Sequence, residues 1–339
     1  MQSWQTTVQA GKSRMERFLS ERRGRMNRLE EITSRLKHLI KYLTSGWRRK
    51  ALVLFFIILS LAVITQVVVA NWELLVEYEW NVRPVWLAYA LGFFLVAFLT
   101  SLWAWHVLVA NLAGFDDFRR SSKIYLTSNL ARRVPGSIWH ITSRALLYGE
   151  AGVSKRSISV LSGLEMIFFL VSAVVTVLIA VPFWGLPSQI GGSVDPAWFL
   201  VIALPIGLAL VHPRLLSTLW QRISKEQLSR PLLWRDTVVW LAYYVMTWIL
   251  GAAVLFCVIN FFEPIPAGKF LPVMGMWALA GTISVVGFLT ISLIGLREIS
   301  LVFLLAQIVP HPITLIIAIA IRLIWLTGEL VTSLLALKL

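Results

Sequence analysis

A handful of charged residues stand where charge is expensive. Glu165, Arg297, Glu298, Arg322 and Glu329 lie within or at the edge of apolar runs, and Arg144 lies in a polar stretch between two such runs. An ionised side chain at the centre of a membrane helix costs roughly 2.5 to 3.5 kcal/mol on insertion scales, so such groups face a protein interior or a wet cavity. Arginine close to one or two carboxylates and to helix breaks is suited to holding a phosphate, because guanidinium stays charged and binds phosphate through two parallel hydrogen bonds. Arg132, Arg133 and Arg144 are the phosphate candidates of the first polar stretch, and Glu165, Arg297 and Glu298 complete the candidate substrate-binding set. For Arg132 and Arg133 a plain topological role at the inner headgroups fits equally well.

Spacing constrains how these charges meet. Arg322 and Glu329 are seven apart, on one helix face about two turns from each other. Arg297 and Glu298 point about 100° apart in a helix and cannot satisfy one another. Each therefore needs a partner elsewhere. The expected pairs are Glu165 with Arg297 and Arg144 with Glu298, a polar seam between two halves of a helical bundle. Other chemistry is poorly served. The histidines at 38, 106, 140, 212 and 311 are scattered, with no HExxH, EF-hand or Walker A pattern, and Cys257 is the single cysteine. No catalytic group, cofactor, metal or disulfide is expected.

The elements that must position these residues are membrane spans and breaks between them. With 58% hydrophobic residues, 14% charged residues and a mean hydropathy of +0.76, the chain reads as an all-α, polytopic membrane protein. Full spans are expected to start at Ala51, Pro84, Ile158, Val238, Phe270 and Ile313, with Pro196 to Val211 as a seventh; counting half-helices, the bundle has about seven or eight transmembrane segments. Ile299 to Val309 is too short to cross alone and is expected to join a re-entrant or half-helix pair with Thr290 to Glu298. Pro135 and Gly136 break any helix entering the stretch from Arg132 to Glu165. That stretch reads either as a re-entrant or interfacial hairpin, or as a cytoplasmic connector with an amphipathic helix.

Two domains follow: a basic extension over 1–50 and a membrane domain over 51–339. The net charge of +14 is concentrated in the extension, where thirteen Lys/Arg face four Glu. Lys12 to Leu43 carries apolar residues at helical spacing opposite a row of arginines, which suits a helix lying on anionic headgroups or, alternatively, a self-associating coiled coil. With no recognisable nucleic-acid module, nucleic acid is not an expected partner. Basic loops alternate with acidic or neutral ones, so the amino terminus is expected in the cytoplasm and the protein in the cytoplasmic membrane. The first apolar run is as long as a span, which reads as a retained anchor and not a cleaved signal.

At its two broken regions the chain resembles the transmembrane region of lysylphosphatidylglycerol synthases and their free-standing relatives. The resemblance rests on Val134-Pro135-Gly136 followed by Arg144, Gly149 and Gly152, on Glu165, and on Gly295-Leu296-Arg297-Glu298. The family motifs look like Leu-Pro-Gly-Gly with a downstream Arg, and Pro-Gly-Gly-(Ile/Leu)-Gly-Val-Arg-Glu. Here Ser137 replaces the second glycine of the first, and Ile291-Ser292-Leu293 replaces Pro-Gly-Gly in the second. The resemblance implies a flippase-like module that moves an anionic lipid between leaflets, either aminoacyl-phosphatidylglycerol or a polyprenyl-phosphate-linked lipid. It implies a free-standing member without the aminoacyl-transferase domain, with a separate glycosyl- or aminoacyl-transferase and self-assembly into an oligomer as candidate partnerships. Two other readings stay open at this point: an intramembrane enzyme acting on a lipid-linked sugar or phosphate, and a scaffold for a transferase.

Overall fold

A computed structural model describes residues 65–66, 69, 72–76, 82–131, 139–184, 196–228, 230–291 and 296–336. The expected amphipathic extension and the span beginning at Ala51 lie outside the described residues, as do Arg132 and Arg133. What is described belongs to one compact unit, Ile64–Leu339. Among the described residues every regular element is a helix.

Ten helices carry the fold after a short helical turn at Trp72–Val76. They are α1 (Pro84–Ala113), α2 (Phe118–Ala131), α3 (Trp139–Glu150), α4 (Lys155–Trp184), α5 (Pro196–Leu210), α6 (Pro213–Ser224), α7 (Trp234–Phe262), α8 (Phe270–Ile291), α9 (Leu296–Leu305) and α10 (His311–Leu335). The boundaries follow local chemistry. Pro84 opens α1 at a position where its missing N–H costs nothing, and Gly114 closes it in the left-handed conformation (φ 67°), donating back to the Ala110 carbonyl. At the start of α7 the Asp236 carboxylate accepts the Leu233 N–H at 3.0 Å and binds Arg230 at 2.9 Å. Asn260 turns the chain after α7 by accepting the Ile265 N–H.

Five helical segments are long and apolar enough to cross a bilayer: Pro84–Ala113, Lys155–Trp184, Trp234–Phe262, Ala267–Val285 and Ile313–Leu335. They match five of the six full spans expected from hydropathy. Over the expected seventh, Pro196 to Val211, the structure has α5. It ends at Leu210, and Ile202–Leu210 meets Pro213–Ser224 at a 53° bend, so these two make at most one broken span. Pro213 begins a new helix capped by His212, whose Nδ1 accepts the Arg214 N–H, and this redirects the chain. The count among the described residues is thus five, or six with the bent pair.

Two apolar cores fill the bundle. One lies among α7, α8, α9 and α10, around Trp248, Ile259, Trp277 and Ile317. The other lies where the end of α1 meets α2, α3, α6 and the early turns of α4 and α7, around Trp105, Leu161, Trp220 and Trp240. Outward, α1 exposes Leu91, Leu95 and Leu99 at four-residue spacing, a stripe suited to lipid. The helices α2, α3 and α9 are about 21, 18 and 15 Å long at 1.5 Å per residue, well short of a hydrocarbon core about 30 Å thick. Arg144 is carried by α3, and Arg297 and Glu298 by α9.

Candidate functional site

The helix α3 packs against α2 and α4, and this fixes the best-held charge in the protein. Arg144 is fully buried. Its guanidinium lies between two rings, with the central carbon 4.2 Å from the Trp105 ring centroid and 4.4 Å from that of Tyr125. Nη1 donates to Glu165 Oε2 at 2.5 Å, Nε to Ser128 Oγ at 3.2 Å and Nη2 to Asn129 Oδ1 at 3.3 Å. A planar cation needs rings on its faces and acceptors on its edge, and here both are present. Below it, the Tyr148 hydroxyl hydrogen-bonds Ser121 at 2.6 Å and accepts from Trp105 Nε1 at 3.0 Å, which locks the ring that covers Arg144.

The second charged group is built differently. Arg297 and Glu298 occupy the first turn of α9, a helix lying between α8 and α10. Glu298 accepts from Arg322 of α10 at 3.0 Å, in a pair whose side chains are 27% and 39% exposed. Arg297 takes the other direction and lays its guanidinium on the Trp277 ring of α8, 3.8 Å from the centroid. No carboxylate lies in ion-pair contact with Arg297 among the described residues, and its buried Nε has no hydrogen-bond partner. Trp277 is seated by close packing: a Cβ on Gly251 of α7 would strike its indole nitrogen, and its other neighbour is Trp325, 5.2 Å away.

Between these two groups is a cavity of about 530 Å³. Its wall includes Asn129, Glu165, Arg297, Glu298, Arg322 and Glu329, together with aromatic residues drawn from both apolar cores. A mostly apolar chamber with a few convergent polar groups is the usual form of a small-ligand site. Five of the charges singled out in the sequence, Glu165, Arg297, Glu298, Arg322 and Glu329, thus line one space, and Arg322 and Glu329 share a wall in keeping with their seven-residue spacing.

The expected pairing was crossed. Arg144 meets Glu165 rather than Glu298, and Glu298 meets Arg322. The reason is helix adjacency, since α3 lies on α4 and α9 on α10, and ion pairs form between neighbouring helices. Arg144 consequently stands behind the cavity wall and not in it, while Glu165 presents its remaining surface to the space. Cys257 is buried in an apolar core, as its surroundings in sequence suggested. Sequence reasoning passed over Trp105, Tyr125, Asn129, Tyr244 and Trp277. A pointer to the first group was available in Ser128 and Asn129, adjacent polar residues just ahead of the Pro135 break. No protein-family model matches the chain, and no curated protein matches it either.

Proposed function

We propose that this protein binds the headgroup of an anionic lipid in the central cavity and carries it between leaflets of the cytoplasmic membrane, with its amino terminus in the cytoplasm. The carrying observation is Arg297: a guanidinium held on a ring face, lining a 530 Å³ cavity among apolar helices, with no carboxylate in ion-pair contact among the described residues. A phosphate would satisfy the donors that the protein leaves without an acceptor. Arg322, already shared with Glu298 and partly exposed, can reach the same anion as a second cation. The apolar outer faces of the helices suit acyl chains that remain in hydrocarbon while the headgroup is inside. Arg144, Glu165 and Glu298 serve this reading as supports of the wall, and the half-length helices α2, α3 and α9 supply polar groups at a depth that a continuous span would leave apolar. A separate transferase that makes the lipid is the natural partner.

Headgroup translocation in liposomes tests this. Labelled phosphatidylglycerol, its lysyl derivative and a polyprenyl-phosphate sugar are offered to wild type and to Arg297→Gln. At least one lipid is expected to move with wild type and to stall with the variant. Movement unaffected by Arg297→Gln in a folded protein would remove the reading.

A further inference from the structure

The cavity wall has a second polar region away from Arg297, and one of its groups has no partner. Tyr244 of α7 lines the cavity, is only 3% exposed, and its hydroxyl makes no hydrogen bond. Its ring is stacked on Phe168 of α4, with centroids 6.2 Å apart and planes 16° apart, three residues along the same helix from Glu165. A buried hydroxyl left dry is costly, and in native proteins such a group usually marks a place that something else fills. Other polar residues line the cavity as well, among them Glu165, Asn129 and Ser162. Glu165 offers the part of its carboxylate not taken by Arg144, Asn129 keeps its amide nitrogen after giving Oδ1 to Arg144, and Ser162, one turn before Glu165 on α4, donates its hydroxyl to the Ile158 carbonyl at 3.0 Å and keeps its oxygen as an acceptor.

The chemistry of this set differs from that around Arg297. Glu165 already carries a counter-charge, the fully buried Arg144 at 2.5 Å. The other three groups are neutral. A second cation here would compete with Arg144 for one carboxylate, whereas a hydroxyl can donate to the carboxylate and accept from the amide or the phenol. Building on the anionic-lipid reading, we propose that Glu165, Asn129, Ser162 and Tyr244 form a subsite for the neutral, hydroxyl-bearing part of the headgroup, in the same cavity as a phosphate held at Arg297. The ligand class is a lipid whose phosphate carries a polyol, glycerol or a sugar, and not one whose phosphate is bare or carries an ammonium group.

Binding to the full chain in nanodiscs tests the assignment. Phosphatidic acid, phosphatidylglycerol and phosphatidylethanolamine with identical acyl chains are titrated into a phosphatidylcholine background. One or two well-made hydrogen bonds predict about a tenfold preference for phosphatidylglycerol over phosphatidic acid, and none for phosphatidylethanolamine. Tyr244→Phe and, separately, Ser162→Ala should each remove about three- to fivefold of that preference and leave phosphatidic acid binding unchanged. Because the Tyr244 hydroxyl has no partner in the lipid-free protein, Tyr244→Phe should melt no lower than wild type in the absence of ligand, which separates a ligand role from a structural one. Equal binding of phosphatidic acid and phosphatidylglycerol, or a preference for phosphatidylethanolamine, overturns the subsite. If Arg297→Gln still weakens phosphatidic acid binding in that case, the anionic-lipid reading survives alone. If Arg297→Gln changes nothing, both fall.

Discussion

Arg144 is the residue whose loss the protein should tolerate least, and the expected size follows from its surroundings. The perturbation is Arg144→Met, which keeps an apolar stem but removes the guanidinium. Glu165 would then be a carboxylate that is 14% exposed with no cation beside it, and Ser128 Oγ and Asn129 Oδ1 would each lose a donor. Breaking a buried ion pair by removing one partner costs about 3 to 5 kcal/mol. The ring contacts with Trp105 and Tyr125 would add about 0.5 to 2 kcal/mol each if independent, but they hold the same group and do not add fully. A loss of about 4 kcal/mol is expected. Reversible unfolding in mixed micelles measures it, within a cycle that includes Glu165→Gln and the double variant. Since Glu165→Gln removes the stranded charge, the double variant should be more stable than the sum of the singles by at least about 2 kcal/mol. Arg144→Lys should recover little, because an ammonium can neither stack between two rings nor reach three acceptors along one edge. An Arg144→Met protein within about 1 kcal/mol of wild type, or a cycle with no coupling, would refute the clamp.

Other consequences concern the cavity and its walls. Arg322→Gln should cost less than about 1 kcal/mol in the same unfolding assay, because its pair with Glu298 is partly exposed, yet it should weaken binding of phosphatidic acid to nanodiscs. Gly251→Leu should displace Trp277 and with it the cation that lies on its ring, lowering the same binding even though α7 contributes no charge at that end; Trp277 fluorescence, isolated in a background with the other tryptophans replaced, reports the shift. Gly328→Leu should cost about 1 to 3 kcal/mol of stability, since any side chain there enters the Phe94 ring. Single cysteines at Lys225 and Gly268, in a Cys257→Ser background, should react with an impermeant thiol reagent from opposite sides of the membrane; labelling from the same side contradicts the alternation of basic and acidic loops.

The long spans were legible because hydropathy is a property of contiguous sequence: α1, α4, α7, α8 and α10 each fall where a long apolar run predicts them. The charged residues that matter were legible for the same reason, since Glu165, Arg297 and Glu298 stand out against apolar neighbours. What sequence did not carry was adjacency. Whether Glu165 finds Arg144 or Arg297 depends on which helix lies beside α4, and several arrangements of the same spans satisfy the same hydropathy. Tyr244 and Trp277 were hidden more deeply, because a ring in an apolar helix of a chain with sixteen tryptophans and seven tyrosines reads as packing until its neighbours are known. The bend at His212–Pro213 was readable in kind from the proline, which starts a new helix just after α5.

The two ends of the cavity are held with unequal strength, and this decides where it can change shape. At the Glu165 end Arg144 ties α2, α3 and α4 together through three hydrogen bonds, two of them buried and the one to Glu165 partly so, and two ring faces. At the Arg297 end the polar link between α9 and α10 among the described residues is one partly exposed ion pair, of a kind that contributes about 0 to 1 kcal/mol. The helix α9 is ten residues long; it buries Leu301, Leu304 and Leu305 in the apolar core and exposes Ile299 and Phe303 on its outer side, so beyond that ion pair it is held by apolar packing, which is non-directional. A rearrangement that lets a headgroup in or out should therefore move α9 against α10 and leave α2, α3 and α4 as a fixed block. Hydrogen exchange expresses the difference: amides of α9 should exchange faster than those of α3, a helix of similar length, and lipid binding at Arg297 should slow α9 more than α3. Equal protection of the two helices, with or without lipid, would mean that the weak ion pair is not what sets the mobility of that end.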